Sequence, residues 1–187
     1  MKNIFFIILT IFTANLNAQT VSLETIAQCQ NNLETCPPYT SVKDINGHLN
    51  KYVGTWKGTH EGKNYEINII KKENVPTEFS NTKWDMLIGR FKITNSNGTV
   101  LFNNFNKSDN DASLGYNFQK DLKLYLMTFS GGKLGCIDIG FVYIGIKPEA
   151  PNKMTINFRP DYDIVTQDCS NFQTTMPTNQ VIHLTKQ

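Results

Sequence analysis

Between residues 52 and 147 the apolar residues fall into short runs with a period of two, and turn residues interrupt them at hairpin spacing. Tyr65, Ile67 and Ile69 alternate with Glu66 and Asn68, which places the two sets on opposite sides of a strand. His60-Glu61-Gly62-Lys63, Ser96-Asn97-Gly98 and Ser130-Gly131-Gly132-Lys133 read as turns between such runs. The pattern predicts strands at 52–59, 64–72, 84–94, 99–105, 113–119, 122–129, 134–147, 154–159 and 180–186. No segment between them is long enough for the helical crossover that a parallel sheet requires. Composition agrees. The 187 residues hold 22 Asn and only five Ala, and Ala is the strongest helix former whereas Asn favours turns. The expected fold is all-β, an antiparallel meander that closes as a barrel of 8–10 strands or packs as a sandwich. A closed barrel has the further merit of leaving no strand edge open to aggregation.

The N-terminus reads differently. Lys2 precedes the apolar run Ile4 to Phe12, and Ala14-Asn15-Leu16-Asn17-Ala18 follows with small or neutral residues. Residues 1–18 have the layout of an export signal cut after Ala18. The run is too short for a membrane span of about 20 residues, and no other stretch comes closer. The expected location is therefore periplasmic or extracellular. The net charge of +2 drops to +1 once Lys2 is removed, too little for nucleic acid or an anionic membrane as the main partner.

Residues 19–50 form a leader, and residues 51–187 form the barrel domain. In the leader, Ser22 to Gln28 has a capping residue and spaced apolar positions, predicting a short helix. Pro37-Pro38 enforces an extended break, Asp44 to Gly47 a turn, and His48 to Tyr52 one helical turn. Export makes the four cysteines, Cys29, Cys36, Cys136 and Cys169, candidates for disulfides. Three pairings exist. The favoured one joins Cys29 to Cys36 within the leader and Cys136 to Cys169 between a long strand and the loop before the last strand. Their spacing matches no zinc site.

Tyr52-Val53-Gly54-Thr55-Trp56-Lys57-Gly58 places a Gly-x-Trp at the start of the first strand, after a helical turn, and so resembles the opening of lipocalins. The resemblance implies a lipocalin-like barrel in which Gly54 lets the strand bend and Trp56 plugs the closed end. Lipocalins pack an Arg of the last strand on that Trp. Residues 181–186 contain no Arg, which leaves Lys186 or Arg159 for the role. The chain is also similar to secreted Bacteroidetes proteins that share a domain of unknown function, through Asn17-Ala18-Gln19, Gly54-Thr55-Trp56 and the run Asp85 to Phe91. Gly54, Trp56 and Gly58 further resemble the Gly-x-Trp-x-Gly of nitrobindin-like barrels. That resemblance implies haem, with His183 as the iron ligand; otherwise no cofactor is expected.

Function is less legible. A barrel of about eight strands can just enclose a small ligand. Tyr65, Ile67, Phe91, Ile93, Leu124, Phe141, Tyr143, Ile156 and Phe158 are the interior candidates for a small, largely apolar one. Ligand binding inside the barrel is the leading expectation, and the alternative is a filled core, which the same residues describe. A chain with such a core would act through its surface, with Tyr39, Tyr162 and Phe172 as loop aromatics. No nucleophile elbow, phosphate loop or His-Glu-x-x-His is present, so no enzyme is expected. Asp85, Asp138 and Glu66 are the strand carboxylates with any scope for acid/base work. Asp109-Asn110-Asp111 and the loop acids Asp161, Asp163 and Asp168 lack calcium-loop spacing, so no metal site is expected. Oligomeric state has no signature in the sequence.

Overall fold

The computed structural model describes residues 19–29, 35–77, 80–132, 135–161 and 165–187. Residues 1–18, the expected export signal, lie outside them. The strands are β1 (Thr20–Ser22), β2 (Ser41–Lys43), β3 (Gly54–His60), β4 (Lys63–Thr77), β5 (Ser80–Asn95), β6 (Val100–Asn103), β7 (Ser113–Phe118), β8 (Leu124–Ser130), β9 (Ile139–Ile146), β10 (Lys153–Pro160) and β11 (Val181–Lys186). The helix α1 spans Leu23–Cys29. Eight strands close a barrel in the order β5-β4-β3-β11-β10-β9-β8-β7, and β7 returns to β5. Every pairing around it is antiparallel. The closing seam is short, with only Ile88 opposite Leu114 and Gly89 opposite Ser113. The strip β6 pairs with β5 off this closed path, and its Phe102 packs against the core.

The leader departs from the meander. β1 pairs in parallel with β2, and β2 in parallel with β5. Three residues per strand are too few to carry a periodic signal, so neither was expected from sequence. α1 begins where predicted, with the Ser22 hydroxyl accepting from the Thr25 N–H at 3.1 Å as an N-cap. Leu23, Ile26, Ala27 and Leu49 of the leader are buried in the same core as the barrel side chains. The leader covers the barrel end that holds Tyr52, Phe118 and Tyr125, whose rings stack at 4.8–6.5 Å. The opposite end is covered by the loop before β11. Its Met176 is fully buried, and Asp138 accepts hydrogen bonds from the Thr175 N–H at 2.8 Å and hydroxyl at 2.7 Å.

Both expected disulfides are present, Cys29 to Cys36 and Cys136 to Cys169. Several strand readings need correction: β9 begins at Ile139, so Cys136 and Asp138 lie in the turn before it and not in a strand. β4 and β5 run further than predicted, as an arm that β2 flanks. In β9 the inward residues are Val142, Ile144 and Ile146, so Phe141 and Tyr143 face outward. Both faces of that strand are apolar, and a one-residue change of register exchanges them. Leu124 is likewise outward, because Tyr125, Met127 and Phe129 take the inner face of β8.

Candidate functional site

Trp56 anchors the capped end of the barrel. It is fully buried, and its indole N–H donates to the Tyr52 carbonyl at 2.7 Å. The Lys186 ammonium lies over its ring, 5.4 Å from the centroid. Of the two cations considered for Trp56, Lys186 is the one on its ring, while Arg159 lies over Tyr143, at 4.8 Å. Gly54 has φ +131°, and a Cβ there would press within 3.0 Å of the Lys186 chain. At Gly58 a Cβ would sit 2.2 Å from the His183 carbonyl oxygen, so the missing side chain lets β11 close on β3.

The interior positions Tyr65, Ile67, Phe91, Ile93, Ile156 and Phe158 are all buried within one core. Phe129 meets Phe91, Phe102 and Phe158, each at 5.4 Å between ring centres. Aromatic rings therefore occupy the middle of the barrel. Burial pushes the Tyr65 hydroxyl pKa up to about 12, with the nearby Glu61 charge adding to it. His183 is exposed on the outer face of β11, opposite Thr155. It does not reach the interior, so the side chain named for the haem reading lies on the outside of the barrel.

The carboxylates expected in strands are kept apart by separate structural partners. Burial pushes the Asp85 carboxyl up, but the Lys43 ammonium at 2.9 Å and the Asn74 and Asp44 N–H groups outweigh it and hold the pKa below the ordinary value. Glu66 pairs with Lys57 at 3.2 Å on the outer wall, and Asp138 holds the Met176 loop. Hydrogen bonds from Lys72 and Arg90 lower the Asp109 carboxyl. Asp163 lies outside the described residues. Among the described residues no group of three His, Cys, Asp or Glu side chains converges as a metal site. No described helix is long and apolar enough to cross a membrane.

Two concavities of the outer wall stand out among the described residues. The larger, about 410 Å3, lies over β3, β4 and β5 and is lined by hydrophilic side chains, Lys57, Thr59, Asn64, Glu66, Lys92 and Thr94. The smaller, about 180 Å3, is aromatic and sits where β5 and β7 part beyond their short seam. Tyr39, Thr77, Thr82, Trp84, Met86, Gly115 and Tyr116 line it. Its geometry follows from two local features. β7 carries a bulge, since Gly115 pairs with Met127 but Asn117 pairs with Leu126, and the extra residue is Tyr116. A bulge re-aims a side chain, and Tyr116 is 55% exposed. Gly115 lies deep in the seam. A Cβ there would fall 2.2 Å from the Tyr125 hydroxyl and 2.9 Å from the Leu87 backbone.

The groove walls are held in place. Trp84 donates its indole N–H to the Thr82 hydroxyl at 3.2 Å, and Thr82 bonds to Thr77 at 2.9 Å. Tyr39 meets Trp84 edge-on at 6.2 Å. On the other side Tyr116 packs on Phe141 at 5.5 Å, and the row continues to Tyr143 under Arg159. Of the loop aromatics expected at a surface, Tyr39 is here, Phe172 is half-buried elsewhere in the loop before β11, and Tyr162 lies outside the described residues. Trp84 and Tyr116 escaped the sequence reading, because a bulge and a parting of strands distant in sequence leave no periodic trace.

No curated protein and no solved structure matches the chain. The sequence matches a family of unknown function (DUF6705) over residues 1–187, and the chain belongs to that family.

Proposed function

We propose that this protein is an exported, non-catalytic binding module that recognises its partner through the outside of the barrel. The observation that carries the reading is the aromatic groove between Trp84 and Tyr116, preformed and open to solvent on a barrel whose middle is filled with rings. Aromatic side chains held by a rigid sheet provide large contact area at little entropic cost. Export is supported by the layout of residues 1–18 and by two disulfides, which persist in a non-reducing compartment.

The test is a screen of small aromatic fragments by saturation-transfer NMR against the wild type and Tyr116→Ser. Tyr116 is exposed, so its replacement leaves the fold intact. Hits that vanish in the variant support the groove; hits that persist unchanged overturn it.

A second reading places a small apolar ligand inside the barrel. Its favouring observation is the Tyr65 hydroxyl, buried near the Met176 end with no hydrogen-bond partner among the described residues. A bound ligand with an acceptor would satisfy it. The same screen separates the two readings, because interior binding is indifferent to Tyr116.

A further inference from the structure

We infer that the partner is an acidic peptide segment, one that sets a carboxylate beside an apolar side chain; the inference rests on the outer-wall reading. The apolar side chain belongs in the groove between Trp84 and Tyr116. The carboxylate belongs on Arg159.

Arg159 closes a continuous row on the outer wall. Tyr116 packs on Phe141, Phe141 is the register partner of Arg159 across β9 and β10, and the Arg159 guanidinium lies over Tyr143. Five other cations are neutralised in place, whereas Lys63, Lys83, Lys92 and Lys153 form no salt bridge with a described residue and stack on no described ring. Lys43 pairs with Asp85, Lys57 with Glu66, Lys71 with Asp44, and Lys72 and Arg90 with Asp109. Arg159 is exposed and forms no salt bridge with any described residue. A guanidinium stacked on a ring keeps its in-plane donors free for a bidentate carboxylate. Arg beside Tyr is also the composition of energetic centres in protein interfaces.

The alternatives fit less well. Nucleic acid and anionic membranes need many cations, and among the described residues the row from Trp84 to Tyr143 has Arg159 alone stacked on it. A sugar needs free donors and acceptors around the rings. Here the Trp84 N–H and the Thr77 and Thr82 hydroxyls are engaged with one another.

The experiment titrates isotope-labelled protein with two blocked tetrapeptides, Leu-Phe-Glu-Leu and Leu-Phe-Gln-Leu, and follows the Trp84, Tyr116 and Arg159 signals by NMR. The Glu peptide is expected to bind about three- to fivefold tighter, the range of one exposed ion pair. High salt and Arg159→Gln each remove that preference, and Arg159→Lys restores part of it. Equal affinity for both peptides at these signals overturns the acidic partner and leaves the outer-wall reading standing. A Glu preference that survives Arg159→Gln overturns the assignment to Arg159. If neither peptide moves these signals, the outer-wall reading itself fails.

Discussion

Replacing Trp56 by Phe separates two contributions that hold the capped end of the barrel. The indole N–H donates to the Tyr52 carbonyl at 2.7 Å, and both residues are fully buried. Phe keeps most of the ring but has no donor, so that carbonyl loses its side-chain partner at a cost of about 1–3 kcal/mol. The lost ring volume adds about 1 kcal/mol. The weaker face that Phe offers Lys186 adds about 0.5 kcal/mol. The expected loss is roughly 2.5–4.5 kcal/mol, a large share of the ~5–15 kcal/mol by which domains are stable. Trp56→Ala is expected to cost more, since emptying a buried Trp site removes about 3–5 kcal/mol before the carbonyl is counted. Urea unfolding of the disulfide-intact protein, followed by far-UV circular dichroism, measures both. Lys186→Met in the Trp56→Phe background is expected to be less than additive, because the two side chains share one contact. A Trp56→Phe variant within about 0.5 kcal/mol of wild type would refute the claim that this contact anchors the end of the barrel.

Two further predictions concern the leader and the covering loops. The disulfides close loops of very different length, with sequence separations of 33 and 7. Chain entropy then assigns about 3.7 kcal/mol to Cys136–Cys169 and about 2.4 kcal/mol to Cys29–Cys36. Unfolding of the two double Ser variants is expected to show that order, and the reverse order would contradict it. Asp85 has a folded pKa below its unfolded value, so its stabilisation is present above the unfolded pKa and disappears as pH falls through the folded one. Asp85→Asn is therefore expected to be less stable than wild type at neutral pH, with the gap closing below the ordinary carboxyl value of 3.8. A gap that stays constant with pH would remove the Lys43 contact as its cause.

Much of the architecture is written locally. Tyr65, Ile67 and Ile69 occupy the buried positions that their alternation with Glu66 and Asn68 implies. The α1 cap, the turn at Asp44 and both disulfides follow from neighbouring residue types and spacing. The readings that went astray depend on information that a strand does not carry in itself. β9 is apolar on both faces, so nothing local decides between Phe141 and Val142. β1 and β2 are held by their neighbours and by burial of Val21 and Val42, with no pattern of their own. The groove is more hidden still. Tyr39 and Tyr116 are far apart in sequence, and they line one groove because β7 bulges and parts from β5. Arg159 reads as a stand-in for the lipocalin Arg, yet the register that sets it beside Phe141 puts it on the outer wall.

The central claim is that this barrel binds on its outer wall, and a crystal structure with the tightest aromatic fragment tests it most directly. The account predicts fragment density between Trp84 and Tyr116, over Gly115, with the core rings unmoved. Density inside the barrel, among Phe91, Phe129 and Phe158 and reaching the Tyr65 hydroxyl, would contradict it.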